Sequence, residues 1–313
     1  MKHQLKAKPQ PKTARRQRPF LLLEVIIWAL ALGLTGAATF SWNTRPGNFI
    51  QVNLQPLPTP MQNLQSLLQS HPPAKPTPQP TSAPPLITGY TLQVPILMYH
   101  YIGNNPNPAD KARYALSVTP DKFGEQMKYI KENGYQTISL DTLYSYLSLK
   151  KPLPSKMIIL TFDDGYIDFY YNAFPILQQY GFSATEFIIT GFVGKSAYLT
   201  WDQIRKMESS HLIDFEAHTI DHPFLPTLPA ASVEKELKES KQTLEKELGV
   251  PVNFLAYPYG ATNHFVEQEV HQAGFMGAVG TWYGKTQALS IIYDMPRIRV
   301  SNSFDMQTFA GLL

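Results

Sequence analysis

From residue 91 onward the chain repeats one cadence: a short apolar run, a turn, a helix-period segment closed by glycine, and another apolar run. VPILMYH (94–100), YQTISL (135–140), MIILTFDDG (157–165), SATEFIIT (183–190) and VNFLAYPYG (252–260) read as strands. TPDKFGEQMKYIKENG (119–134), LDTLYSYLSLKK (140–151), YNAFPILQQYG (171–181) and ASVEKELKESKQTLEKELG (231–249) read as helices. The first of these helices carries Thr119 as its cap, Pro120 at the first position and Gly134 as its C-cap. Strands apolar along their whole length cannot leave one face in water. Separated by helices, they imply a mostly parallel sheet covered by helical crossovers. Residues 91–313 suffice for a closed barrel with fewer strands than a TIM barrel, or for an open sheet. Either way the chemistry belongs at the C-terminal strand ends.

Composition excludes several classes. With no cysteine, disulfide scaffolds, Cys-based zinc sites, iron–sulfur clusters and thiol nucleophiles are ruled out. A metal must therefore sit on His, Asp or Glu. Seven of the 27 Lys and Arg residues fall within residues 1–19, which hold no acid. Beyond that tail the 24 acids outnumber the bases, which argues against a nucleic-acid partner.

The segment before residue 91 has a different texture. After the basic tail (1–19), residues 20–42 are almost wholly apolar, with Glu24 their single charge. About 20 such residues are enough to cross a bilayer. The basic flank predicts a cytoplasmic N-terminus and an extracytoplasmic body on a single-pass membrane helix. A cleaved signal peptide, with TGAA (35–38) supplying small residues, is the alternative. Residues 43–90 include ten prolines between Pro56 and Pro85 and read as an extended linker. The folded domain is then 91–313.

Three clusters lie at expected strand ends. Asp163 and Asp164 in TFDDG are adjacent carboxylates, whose shared field raises one pKa unless a cation neutralises them. His218 and His222, four apart on a helical or turning segment, present two imidazoles on one face. With a carboxylate from another strand end they form a three-ligand divalent-metal site with open positions; an incidental pair of histidines is the alternative. Ala256-Tyr257-Pro258-Tyr259-Gly260 is a tight turn able to expose backbone N–H donors to an oxyanion.

In this order, over residues 94–313, these motifs resemble the NodB-homology polysaccharide deacetylases, carbohydrate esterase family 4. VPILMYH, LSVTPDKFGEQMKYIKENGY, TGFVGK and PRIRVS are similar to its membrane-anchored or secreted bacterial branch, which includes biofilm poly-N-acetylglucosamine deacetylases. The resemblance implies an α/β fold, a distorted (β/α)7-type barrel, and metal-dependent N-deacetylation of an N-acetylated envelope glycan. Carried over by motif, Asp163 is the general base, Asp164, His218 and His222 are the metal ligands (usually for zinc), and Tyr259 supplies the oxyanion N–H. The family's C-terminal Leu-x-His motif is missing, since His264 and His271 follow the turn on what reads as an exposed helix. His100 therefore stands in as general acid, as in the biofilm branch. The family's arginine two residues before the turn proline is Ala256 here, and Arg297 is the replacement expected to orient the base. Glu186 and Glu216 stand where the branch has apolar or small residues. Tyr166, Trp201 and Trp282 read as core aromatics, with sugar stacking as the alternative for each. A glycan-binding protein with a degenerate site and an O-acetyl esterase remain open as other functions.

Overall fold

The computed structural model describes residues 86–105, 107 and 109–313. The basic tail, the apolar run and most of the proline-rich linker lie outside them. Among the described residues no helix is long and apolar enough to cross a membrane.

Seven parallel strands form the body: β1 (Ile96–Tyr99), β2 (Met157–Asp164), β3 (Ala184–Ile188), β4 (Ile213–Ala217), β5 (Phe254–Ala256), β6 (Gly277–Tyr283) and β7 (Met295–Arg299). β7 pairs with β1 through Ile298 and Leu97, and β1 pairs with β2 through Ile96 and Ile159, so the sheet closes into a barrel. The closure is irregular. β4 and β5 share the single register pair Ala217 and Leu255, and the β6–β7 register shifts between Val279 and Tyr283.

Period-two alternation sorts each strand's side chains into two layers. Ile159, Phe187, Phe254, Val279 and Met295 fill the barrel interior with Leu140, Leu143 and Leu147 of the helix Leu140–Ser148. Leu97, Leu160, Phe162, Ala184, Ile188, Leu255 and Ile298 face outward, onto helix residues such as Met127, Leu177, Ile204 and Leu237. Both layers are buried, which is why the strands read as continuous apolar runs.

Two helices show how local signals set the boundaries. Thr119 accepts from Lys122 N to cap Pro120–Glu132, and Gly134 follows its end at a φ of 73°. In Trp201–Glu208, Thr200 and Gln203 form a reciprocal capping box. The strand expected over 135–140 is only Gln136–Thr137. Ser139 instead turns out of the sheet to accept from Thr142 N and begin the next helix, so capping outcompetes strand extension.

Candidate active site

Asp163 is the last inward-facing residue of β2, and Arg297 reaches it across the barrel mouth from β7. The guanidinium donates through Nη1 to Asp163 Oδ1 and through Nη2 to Oδ2, both at 2.7 Å. Nη1 also donates to Thr161 Oγ1 at 3.1 Å and Nε to Gly280 O at 2.8 Å, so the fork is fixed at both ends. Arg297 is fully buried and Asp163 is 2% exposed. Burial alone would push the Asp163 carboxyl pKa up. The Arg297 charge and hydrogen bonds outweigh it, and the Asp163 pKa lies well below the usual carboxylate range. The arginine lacking at Ala256 therefore leaves no unpaired carboxylate.

His100 follows β1, with Nε2 4.0 Å from Asp163 Oδ2. Burial lowers its pKa despite the opposing pull of Asp163 and Asp164. The segment after it is pinned from outside the barrel. Asn172, in the π-helical turn Phe169–Ala173, donates to Ile102 O at 2.7 Å.

Asp164 ends β2 at a φ of 85°, followed by Gly165 at 75°, and this left-handed turn swings its carboxylate onto the strand end. Asp164 Oδ1 lies 3.3 Å from His218 Nε2 and 3.5 Å from His222 Nε2. One ligand atom from each of the three lies within 4.8 Å of the others. The two histidines do not sit on a helix. His218 follows β4, Thr219 and His222 have φ of 66° and 56°, and Thr219 Oγ1 accepts from His222 N at 3.0 Å. A tight turn thus brings the imidazoles together, with ring centroids 4.8 Å apart.

The donor set suits a divalent cation. His218 Nδ1 lies 2.7 Å from the Ala256 carbonyl, which can only accept, so that nitrogen carries the hydrogen and Nε2 presents its lone pair. Two imidazole nitrogens and one carboxylate oxygen on a half-open rim form a three-ligand site with room for further ligands. The titrations are uneven. Burial pulls the His218 pKa down, but its bond to Asp164 and the charges of Asp163 and Asp164 raise it above the ordinary value. Burial and the charge of His218 lower His222 to about 4. Burial works to raise Asp164, and His218 reverses that, leaving it lowered.

Tyr259 forms the tip of the turn after β5, at a φ of 60°. The residue is 65% exposed, and its ring meets His222 edge-on, with centroids 4.5 Å apart. On the β2 side stands a stack of aromatics. Tyr166 lies between Tyr101, at 3.8 Å and 22°, and Tyr198, at 5.2 Å and 28°. The Arg113 guanidinium covers the next face of Tyr101 at 3.7 Å. Tyr166 is thus stacked with two tyrosines, in line with the packing role expected of it and not with the sugar-stacking alternative. Trp201 packs against the outer apolar layer at the start of its helix. Trp282 is half-buried and donates to Asp294 O at 3.0 Å. His264 and His271 are exposed on the helix His264–Gln272, apart from these groups.

Neither buried glutamate lines the metal triad. Glu216 accepts from Phe254 N at 2.7 Å and bridges β4 to β5 where their ladder is thin. Glu186 accepts from Gly165 N at 3.0 Å. Burial pushes both carboxyls well above the usual range. The supporting Gly280 and Ala256 carbonyls are invisible to motif reading because they are main-chain atoms, while Thr161 opens the TFDDG motif without revealing its bond to Arg297.

The sequence model of the family described as polysaccharide deacetylase matches residues 150–278. YxkH of Bacillus subtilis (strain 168), provisionally named a polysaccharide deacetylase, is 31% identical over 221 residues, covering 71% of this chain and 76% of its own. A poly-beta-1,6-N-acetyl-D-glucosamine N-deacetylase of Staphylococcus aureus (strain MSSA476) is 31% identical over 199 residues, covering 59% of this chain and 68% of its own. Among solved structures, the Streptococcus pyogenes deacetylase PplD in complex with acetate aligns with a TM-score of 0.66 at 32% identity, covering 71% of this chain and 98% of that one. With barrel, motifs and relatives in agreement, the chain belongs to the polysaccharide deacetylase family.

Proposed function

We propose that this chain is a metal-dependent N-deacetylase of an N-acetylglucosamine-containing envelope or extracellular glycan. The observation that carries the reading is the placement of an arginine-clamped carboxylate, Asp163, beside the Asp164, His218 and His222 triad. The name of the Staphylococcus aureus relative supports the substrate class, and the mixed N/O donor set favours zinc.

What a divalent cation supplies at such a triad is Lewis acidity, acidifying water and polarising the acetamide carbonyl. Asp163 is the general base. Held ionised by Arg297 at neutral pH and fixed at both oxygens, it takes a water proton without rotating away. The Tyr259 main-chain N–H, at the turn tip beside His222, donates to the developing oxyanion. His100 protonates the departing amine. Since burial keeps its pKa low, His100 starts neutral and gains its proton during turnover. Asp163 Oδ2, 4.0 Å away, is beyond direct hydrogen-bond reach, so the proton it takes from water would pass to His100 through one intervening water. The exposed Tyr259 ring offers an apolar rim to a pyranose.

Residues 20–42 are read as an uncleaved anchor that holds the domain outside the cytoplasm on the 43–90 linker. The basic tail, the length of the apolar run and the ten prolines support this topology. Protease added to intact cells should remove the domain; full protection would sink the topology.

The deacetylase reading is tested by product analysis on an N-acetylglucosamine oligomer. One new primary amine should appear for each acetate released. Acetate without amine, from an O-acetylated glycan, would identify an esterase. Sugar binding with no acetate release would identify a binding module.

A further inference from the structure

We infer that Glu186 is a positioning residue for the metal ligand Asp164, acting through the main chain of Gly165. This rests on the reading of Asp164 as a ligand. Glu186 lies on β3 between Ala184 and Ile188, which face the outer apolar layer, and in register with Phe162 of β2. Position 186 therefore lies on the apolar face of its strand, and nothing in the surrounding packing calls for a carboxyl there. The group is 1% exposed, and Oε2 finds no partner among the described residues. Its other oxygen has one partner, the Gly165 N–H at 3.0 Å.

That N–H belongs to the turn that aims Asp164. Asp164 and Gly165 hold successive positive φ angles of 85° and 75°, a conformation that a non-glycine residue such as Asp164 rarely adopts. Ile188 closes over Gly165, with its Cδ1 3.1 Å from where a Cβ would stand, so the turn is held by an acceptor on one side and packing on the other. Without the acceptor, Gly165 N–H is a buried unpaired donor, and the peptide has reason to rotate toward another partner. The Asp164 carboxylate, one residue back, would then lose its position 3.3 Å and 3.5 Å from the two histidines. Groups that orient metal ligands typically change metal affinity about 10–100-fold when removed.

The test measures zinc binding to the full metal-free chain by chelator competition, for Glu186→Gln, Glu186→Leu and Glu186→Asp, with apo melting temperatures alongside. Gln keeps an acceptor at the same reach, Leu removes it, and Asp keeps the carboxyl but falls one methylene short. Zinc affinity is expected to fall about tenfold or more in Leu and Asp and to stay well within that in Gln. A merely structural role would shift the melting temperatures and leave zinc affinity unchanged. If Leu does not fold, the contrast between Asp and Gln decides. Wild-type affinity in Leu or Asp, or a loss in Gln equal to theirs, overturns the inference. If the wild type itself takes up no zinc, the inference falls together with the ligand reading, a pattern distinct from four proteins binding alike.

Discussion

Replacing Arg297 with methionine is expected to destabilise the fold by about 3–5 kcal/mol and to reduce kcat/KM about 10²–10⁴-fold. The first figure is the usual cost of leaving one member of a buried ion pair without its partner. The second is the usual contribution of a general base. Both follow from one geometry, two 2.7 Å hydrogen bonds on a carboxylate that is 2% exposed. Arg297→Lys keeps the charge but not the fork, and should fall between wild type and methionine.

The pH dependence of this destabilisation carries a sign. In the wild type Asp163 titrates below its unfolded value, so the pair's contribution is full above about pH 4 and is lost as pH falls further. In Arg297→Met the two largest lowering influences on Asp163 are gone, leaving burial against the smaller pull of the His100 and His218 charges, so its pKa is expected to move upward. The variant's penalty is then greatest at neutral pH and shrinks on acidification, as the carboxyl becomes neutral. Urea unfolding of both proteins at pH 7.5 and pH 5 measures this. A stability difference that widens toward pH 5 would contradict it.

Removing the metal ligands should have an effect of similar size on activity and a larger one on metal. His218→Ala and Asp164→Asn are each expected to lose about 10³-fold in turnover, the equivalent of several kcal/mol, and to purify without stoichiometric metal. His218 also sets the acid limit. In the metal-free protein its pKa lies above the ordinary value, so a proton competes with the cation from neutral pH downward. His222, held at about 4, competes only at much lower pH. Zinc affinity should therefore fall about tenfold per pH unit below the His218 pKa. A flat zinc affinity between pH 7.5 and pH 5 would exclude His218 as a ligand.

The strands were legible because both faces are buried, so β1 and most of β2 read as short apolar runs between turn signals. The 135–140 run failed as a strand for a local reason, since Ser139 commits to capping. At the site, the residue types in TFDDG and in the His-x₃-His pair could be read directly, and the fold brings Asp164, His218 and His222 together. Their backbone could not be read. Positive φ at Asp164, Thr219 and His222 arises from strand-end turns that no spacing rule encodes. The pairing of Asp163 with Arg297 spans 134 residues, and in the sequence only the arginine missing at Ala256 points to it. Glu186 and Glu216 stood out as carboxyls in apolar strands, but their partners, Gly165 N and Phe254 N, are main-chain groups that no side-chain pattern reveals. Sugar stacking stayed open as an alternative for Tyr166 because its stacking by Tyr101 and Tyr198 depends on three segments that only the fold brings together.

The central claim is that Asp164, His218 and His222 hold the cation with which Asp163 deacetylates a glycan. It is tested most directly by acetate release from an N-acetylglucosamine oligomer by the full chain, before chelation, after chelation and after zinc is returned. The account predicts turnover that chelation abolishes and zinc restores in the wild type, and that zinc does not restore in His218→Ala. Acetate release that survives chelation, or its absence with every divalent metal supplied, would contradict it.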